Sequence, residues 1–494
     1  MRQVDFFQPA VFLSSKECGT IHHHNVHIRY IVLQQYPLSK LALQKTQAYS
    51  PIMAKKTFTP FVLPVAAFGV TILIGTVLLH ASTKTGAVHW IDALFTATSA
   101  VCVTGLAVFD PGTTLTPAGQ YTLLGLIQLG GLGIMTYSSL AFYLLRKRVT
   151  LTDRLAVGQA LMHNTAFDLG RFLQRLITMT LVIECSGAAL LYLWGDGRFG
   201  MFSSLFHAVS AFCNAGFALF PDSLTGFQSD IGINSIIMIL IILGGLGFAV
   251  LDEIMLWFRQ GRRRKLSFIT KIILSTTAML IVGGAAALFI ARISSSPDEP
   301  FGLTVITSIF QAVTTRTAGF NTLNIGEMTN LSLLFMIFLM IIGGAPGSCA
   351  GGIKVTTFRA LIAFIVAQIR GREQIVIGNK ALDSKTINKV VTLAFISTII
   401  VFGAVVALNL TEGGNFAHTE LRGQFLEIVF EVVSAFATVG LSMGLTAKLT
   451  TAGKIIIIAL MFIGRIGPIW LLTTLQQIHS DVRYRVPETD LPIG

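Results

Sequence analysis

Residues 310–320 read FQAVTTRTAGF, a segment that opens on Phe310 and closes on a small residue, a glycine and a second phenylalanine. It decides the fold because it recurs. Residues 95–106 read FTATSAVCVTGL, residues 206–217 FHAVSAFCNAGF and residues 430–441 FEVVSAFATVGL. The glycines Gly105, Gly216, Gly319 and Gly440 are 111, 103 and 121 residues apart, so a unit returns in each quarter of the chain from Met53 onward. Each quarter runs long apolar helix, glycine segment, second long apolar helix. Four covalently linked copies around one axis bring four glycine backbones to one point, the geometry a pore needs to strip and hold a cation.

The 494 residues are 53% hydrophobic and 12% charged. Soluble domains carry about 25% charge, so the chain reads as an integral membrane protein. Stretches long enough to cross about 30 Å of hydrocarbon lie at 58–80, 119–145, 172–194, 232–258, 268–292, 331–368, 387–409 and 452–475. The fold class expected is an all-α polytopic membrane protein. It has eight transmembrane helices, in four linked units of first helix, pore helix and second helix around a pseudo-fourfold central pore. The units are 53–150, 151–262, 263–380 and 381–480, with an extension at 1–52 and a tail at 481–494.

The net charge of +12 suits nucleic acid in sum but not in distribution. Basic residues crowd the turns after the second helices: Arg146, Lys147, Arg148 and Arg154; Arg259, Arg262, Arg263, Arg264 and Lys265; Arg370, Arg372, Lys380, Lys385 and Lys389. Acidic residues collect in the opposite loops, at Asp110, Asp222, Asp230, Asp298, Glu299, Glu327, Glu412 and Glu420. This positive-inside pattern puts both termini in the cytoplasm of a cell-membrane protein and the glycine segments near the outer face. The acidic loops would concentrate cations at the mouth. No nucleic-acid partner is expected; the bilayer is the surrounding.

Cys18, Cys102, Cys185, Cys213 and Cys349 show neither metal-ligand spacing nor a paired framework. Cys102 and Cys213 occupy equivalent positions, which reads either as a disulfide or, the favoured alternative, as small apolar residues ending a pore helix. The first 52 residues lack a signal-peptide pattern. His22, His23, His24 and His27 read as a disordered tail, or as sequence upstream of the natural start at Met53, in preference to a metal site.

The segments 91–103, 202–214, 302–317 and 424–438 are too short to span the membrane. Non-helical backbone at membrane depth is tolerated only where protein or a water-filled cavity surrounds it. A half-helix followed by an extended turn meets that condition. The carbonyls of Val103, Thr104 and Gly105, of Asn214, Ala215 and Gly216, of Thr317, Ala318 and Gly319, and of Thr438, Val439 and Gly440 would line an axis. Such carbonyl rings replace an ion's hydration shell, and the half-helix C-termini aim partial negative charge at the cation.

On Val103-Thr-Gly-Leu106, Asn214-Ala-Gly-Phe217, Arg316-Thr-Ala-Gly-Phe-Asn321, Thr438-Val-Gly-Leu-Ser-Met-Gly-Leu445 and Gly464-Arg-Ile-Gly-Pro468, the chain resembles the superfamily of Trk, Ktr and plant and fungal HKT potassium transporters. It resembles most the membrane subunit of Ktr systems, from Met53 to Gly494. The resemblance implies one filter glycine per unit and, with Gly105 intact, potassium preference over sodium. It implies a homodimer, each subunit with its own pore, and a separate cytoplasmic ring of nucleotide-binding regulatory subunits. Potassium is then substrate, with sodium an optional coupling ion, and the chain itself binds no cofactor.

The second helices carry Gly130-Gly-Leu-Gly133, Gly244-Gly-Leu-Gly247, Gly343-Gly-Ala-Pro-Gly347 and Gly464-Arg-Ile-Gly467. The third is the odd one: Gly343, Gly344, Ala345, Pro346, Gly347, Ser348, Cys349, Ala350, Gly351 and Gly352 hold five glycines and a proline before Lys354, which a helix barely survives. A loop facing a cavity below the filter is expected, and the resemblance implies an intramembrane gate; a kinked helix is the alternative. Pro346 and Cys349 depart from the all-small, polar loops of the family. Arg465, at membrane depth, would raise a barrier to cations and tether the loop by its carbonyls, or else snorkel to the interface. Arg316 is expected to pair with Glu427 or Glu431. Asp252 and Glu253 read as an interfacial cluster with Arg259, ahead of proton-coupling carboxylates. A secondary carrier would show inverted repeats and paired broken helices, whereas one helix alone reads as strongly broken. An intramembrane enzyme finds no HExxH, GxSxG or facing aspartates.

Overall fold

The computed structural model describes residues 62–84, 88–144, 169–259, 265–295, 299–414 and 423–467. The expectations for 1–52, for the histidines and Cys18 there, for Arg146–Arg154 and Arg262–Arg264, and for the tail lie outside these residues. The described residues are overwhelmingly helical. The first quarter holds α1 (Val62–Ala81), α2 (Trp90–Val101) and α3 (Pro117–Leu144). The second holds α4 (Leu169–Trp194), α5 (Met201–Phe212), α6 (Ile231–Leu246) and α7 (Phe248–Arg259). The third holds α8 (Phe268–Ser295), α9 (Phe301–Thr314), α10 (Asn330–Ile341) and α11 (Val355–Ile369). After a two-residue hairpin, β1 (Val376–Ile377) on β2 (Lys380–Ala381), come α12 (Ser384–Glu412), α13 (Gln424–Ala437) and α14 (Thr451–Ile466).

The sequence explains where the second helices start. Thr116, Asp230, Thr329 and Thr450 stand at equivalent N-termini, and each side-chain oxygen accepts from a first-turn N–H, that of Gly119 (3.3 Å), Ile233 (3.1 Å), Ser332 (3.4 Å) and Gly453 (3.2 Å) respectively. Such oxygens satisfy donors that the helix leaves without a partner. Within a quarter, the first helix packs on the short helix. Between quarters, α3 packs on α5, α6 on α9, α10 on α13, and α14 on α2. Each second helix therefore touches the next short helix, and the fourth closes onto the first.

The short helices are the most buried elements. Phe95, Phe206, Phe310 and Phe430, the phenylalanines of the recurring segment, are all at or near zero exposure. The long helices expose apolar side chains instead, such as Leu73, Leu181, Val282 and Phe402, as a bilayer requires. Among the described residues, Gln174–Trp194, Phe268–Ser295 and Ser384–Glu412 are unbroken helices long and apolar enough to cross a membrane.

The stretch 331–368 stops at Ile341 and restarts at Val355, the interruption expected around Gly343–Gly352. The stretch 232–258, expected as one span, bends by 105° between α6 and α7. The expectation of one strongly broken second helix is thereby overturned. Gly133 (φ 80°), Gly247 (φ 87°) and Gly467 (φ 88°) leave the helical region at the fourth residue of each glycine mark. Only glycine adopts this backbone without steric cost, so the break is written in the last glycine of the mark.

Candidate ion pathway

Each short helix ends in a turn with the same unusual backbone. Val103, Asn214, Thr317 and Thr438 have positive φ of 55°, 57°, 71° and 52°, and two residues later Gly105, Gly216, Gly319 and Gly440 have φ of 96°, 68°, 82° and 92°. Positive φ is rare for a residue with a Cβ and an outlier for β-branched valine or threonine. Strain of this kind persists only where surroundings over-determine it.

The surroundings are visible. Thr104, Ala215 and Val439 donate their N–H to the carbonyls of Ser99 (2.7 Å), Ser210 (2.7 Å) and Ser434 (2.8 Å), and Ala318 to that of Thr314 (2.9 Å). The hydroxyls of the same four residues pin the turn a second time. Ser99 Oγ and Ser434 Oγ each accept from the N–H of the ring glycine, Gly105 or Gly440, at 3.1 Å. Ser210 Oγ and Thr314 Oγ1 donate to the carbonyls of Phe217 (2.8 Å) and Phe320 (2.6 Å). These pins were not read from the sequence. Their signal was there: a hydroxyl residue six positions before the glycine in three quarters and five in the third, where the segment is one residue shorter.

The four glycines meet. A Cβ on Gly105 would lie 2.5 Å from the Ala215 carbonyl oxygen, one on Gly216 2.8 Å from that of Ala318, and one on Gly319 2.7 Å from that of Val439. One on Gly440 would overlap the Thr104 oxygen, and 3.0 Å away stands Gly105 Cα. The contacts run first to second to third to fourth to first, a closed ring. The contacts join Thr104 and Gly105, Ala215 and Gly216, Ala318 and Gly319, and Val439 and Gly440; Val103, Asn214, Thr317 and Thr438 precede them in the same positive-φ turns.

The ten residues from Gly343 to Gly352, with Lys354, form a non-helical loop between α10 and α11. Its ends are stitched by Gly343 N–H to Ile353 O (2.9 Å) and Ile353 N–H to Ile341 O (3.2 Å). Its body is strapped to the break in the second quarter. Ala345 N–H donates to Gly245 O (3.0 Å), Cys349 N–H to Gly244 O (3.3 Å), and Phe248 N–H to Gly347 O (3.2 Å). Gly351 lies against Ala437 and Thr438, so the loop touches the fourth ring segment. Lys354 Nζ donates to Ala350 O at 2.6 Å.

Arg465 is 9% exposed; its guanidinium donates to Cys349 O in the loop and, at 2.6 Å, to Gly130 O in α3. Arg316 corrects an expectation. Its guanidinium donates to Thr277 O and to Gly343 O, both at 3.5 Å, and not to a carboxylate. Glu431 instead accepts from Ser442 (2.8 Å) and Thr446, on the segment that leaves the ring. The hydroxyls of half-buried Ser442 and buried Thr446 take the place of the guanidinium at the carboxylate. Asp252 pairs with Arg175 (3.4 Å) rather than with Arg259, and Glu253 accepts from Ser267 N–H (2.5 Å) and Thr270 Oγ1 (2.5 Å) at the start of α8. Cys102 and Cys213 are free and buried.

The family described as "TrkH: Cation transport protein" matches residues 22–482, beginning upstream of Met53. The chain belongs to this cation transport family. It is 42% identical over 440 residues to the Ktr system potassium uptake protein B of Bacillus subtilis, covering 86% of this chain and 95% of that protein. It is 35% identical over 459 residues to the potassium/sodium uptake protein NtpJ of Enterococcus hirae, covering 89% and 98%. Among solved structures, the potassium transporter TrkH from Vibrio parahaemolyticus superposes with a TM-score of 0.69 at 20% identity, covering 86% of each chain. That likeness is one of fold. The chain is thus a helical, multi-pass membrane protein of a cation transport family.

Proposed function

We propose that this chain takes up potassium across the cell membrane as the ion-translocating subunit of a Ktr-type system, crossing the bilayer eight times in four linked units. One observation carries the reading: the closed ring in which each of Gly105, Gly216, Gly319 and Gly440 abuts the carbonyl or backbone of the next. Left-handed residues at alternate positions turn successive carbonyls toward one side, where they stand in for a cation's hydration shell. The hydroxyls of Thr104, Thr317 and Thr438 are buried without a hydrogen-bonding partner, a cost of about 1–3 kcal/mol each that a bound cation or its water offsets. The loop Gly343–Gly352, Lys354 and Arg465 act as the gate, because positive charge and a non-helical segment meet where the loop touches the fourth ring segment. A homodimer and a cytoplasmic nucleotide-binding partner complete the system, a reading supported by the relative named for a Ktr system. Sodium permeation or sodium coupling is the second reading, favoured by the relative named for potassium and sodium uptake.

The test is potassium-limited growth of an uptake-deficient strain expressing the chain, with potassium and sodium flux in liposomes. Gly319→Ser puts a Cβ against Val439 O at φ 82°. Potassium-over-sodium preference is expected to fall about tenfold or more while membrane insertion persists, since about 1.4 kcal/mol of lost carbonyl geometry is tenfold in affinity. Unchanged preference counts against the ring as the filter.

A further inference from the structure

The residue that follows the phenylalanine of each recurring segment is Thr96, His207, Gln311 or Glu431. All four are at zero exposure, yet their side chains are engaged differently. His207 Nδ1 lies 2.7 Å from Ser203 O, which can only accept, so Nδ1 carries the ring proton. Nε2 is left as an acceptor and takes the Leu219 N–H at 3.3 Å. The ring also stacks on Phe220, with centroids 4.9 Å apart. Glu431 accepts from Ser442 Oγ at 2.8 Å and from Thr446 Oγ1, and Ser442 Oγ in turn accepts the Gly444 N–H at 3.0 Å. In the second and fourth quarters this position therefore grips the segment that leaves the ring. In the first and third it does not: Thr96 Oγ1 and both amide atoms of Gln311 have no hydrogen-bonding partner.

The unbraced quarters rest on the braced ones. Seven residues past their ring glycines stand Gly112 and Gly326, where the second and fourth quarters have Ser223 and Ala447. A Cβ on Gly112 would overlap the Leu219 carbonyl oxygen, and one on Gly326 would lie 3.3 Å from that of Met443. Leu219 and Met443 are equivalent, each three residues past its ring glycine. Leu219 is the residue His207 holds, and Met443 follows the Ser442 that Glu431 holds. The second and third outgoing segments are further joined by Leu224 N–H to Asn321 O (3.0 Å) and Asn321 N–H to Ser223 Oγ (3.3 Å). A fourfold ring is thus held, on the side where the chain leaves it, by a collar braced in alternate quarters.

We propose that His207 and Glu431 are positioning residues for ion selection. By fixing the outgoing segments of the second and fourth quarters, they hold Gly216 (φ 68°) and Gly440 (φ 92°) in the backbone that aims the ring carbonyls. Strained turns persist only where their surroundings over-determine them. The hydroxyls of Ser210 and Ser434 pin these two turns from the short helix, and His207 and Glu431 pin them from beyond the glycine. Fully satisfied buried polar side chains rigidify what they bond. Gln311, equivalent in place and burial but bonded to nothing, is the internal control.

The effect on selection rests on the proposed transport function, so the test reads the segments and the flux separately. The full chain in liposomes is assayed for potassium and sodium flux, and amide hydrogen exchange is followed in the peptides that carry Leu219 and Gly444. His207→Leu and Glu431→Leu are each expected to lower potassium-over-sodium preference about fivefold and to speed exchange in their own peptide by a similar factor, the equivalent of one hydrogen bond. His207→Gln supplies another acceptor for the Leu219 N–H, and Gln311→Leu removes no hydrogen bond, so both are expected to stay within about twofold of wild type. Wild-type preference and exchange in the leucine variants at positions 207 and 431 overturn the proposal. So does a loss in Gln311→Leu equal to theirs, which would make the position a packing site. Should either of those variants fail to insert, Gly112→Ala presses on Leu219 O from the first quarter; unchanged preference there overturns the proposal as well. Gly319→Ser separates brace from filter. Preference lost in it but kept in His207→Leu and Glu431→Leu removes the brace alone, whereas preference kept in it removes the filter and the selection role together.

Discussion

The second helix of the third quarter and those of the other three are interrupted at equivalent glycine marks in opposite ways. In α3, between α6 and α7, and after α14, a single glycine at φ 80–88° turns the chain. The breaks at Gly133 and Gly247 are one residue long and leave no backbone segment to be tied down; Gly467 is the last described residue of its quarter. Between α10 and α11 thirteen residues are non-helical, and their polar backbone groups must find partners at membrane depth. They find them on neighbours: Gly244, Gly245 and Phe248, Lys354 in the loop, and the guanidiniums of Arg316 and Arg465. Under the proposed gating, the difference separates a fixed wall from a movable part, because a segment held by the bonds of other segments is released when those bonds go.

Removing the movable part breaks the comparison outright. Deleting Ala345 to Gly351 is expected to raise potassium flux in liposomes by about tenfold or more, if the loop supplies a barrier of at least about 1.4 kcal/mol. A fall in flux at normal expression would make the loop a structural strut. Next in size is Arg465→Gln, which removes a charge-assisted clamp on Cys349 O and Gly130 O. Hydrogen bonds to charged groups contribute about 1.5–3 kcal/mol, so a flux rise of about tenfold is expected, smaller than that of the deletion. Equal flux in variant and wild type would mean the arginine does not hold the gate closed.

A sharper cut compares two glycines with one backbone conformation. At Gly247 a Cβ would lie 3.0 Å from Pro346 O in the loop, whereas at Gly467 it meets nothing within 4 Å. Alanine at either site carries the penalty of a backbone region that only glycine enters freely (φ 87–88°, ψ 140–143°), about 1–3 kcal/mol, visible as similar losses in thermal midpoint. Only Gly247→Ala pushes on the strap at Phe248, so only that variant is expected to change flux, by about twofold to fivefold if roughly 0.5–1 kcal/mol of one hydrogen bond is lost. Matching flux changes in both variants would detach the break from the gate.

The ring and the loop were legible because their residues are forced. Gly105, Gly216, Gly319 and Gly440 need a backbone closed to other residues, and their spacing survives in a single sequence. The half-helices were legible for the same reason: too short to cross, too apolar to lie outside. What was not legible depends on partners distant along the chain. Arg316 reads as half of an ion pair with Glu427 or Glu431 because a bare positive charge beside a filter would repel the cation; only the fold brings Gly343 O to the guanidinium and gives Glu431 to Ser442 and Thr446. The one-residue breaks were missed because a glycine inside an apolar helix reads as packing as readily as a turn.

The smallest effect probes where the quarters differ at their other end. Three of the second helices are capped by threonine and one by Asp230, whose carboxylate also accepts from Arg198 (2.6 Å) and Trp194 (3.3 Å). Partial burial raises the carboxyl's pKa, but the Ile233 N–H, Arg198 and Trp194 outweigh it and hold the group below its usual range. A carboxyl depressed on folding adds stability above its unfolded value of about 3.9, and loses it as pH falls through the folded value. Asparagine keeps the cap acceptor and removes only the charge. Asp230→Asn is therefore expected to lower the thermal midpoint slightly at pH 7, with the gap to wild type closing as pH drops below about 4. Thr116→Ala removes a neutral cap worth about 1 kcal/mol, its hydroxyl bonding the backbone groups Gly119 N–H and Ser82 O, and its deficit is expected to stay constant over the same range. A pH-independent deficit in Asp230→Asn as well would show that the charge at that cap adds nothing to the hydrogen bond.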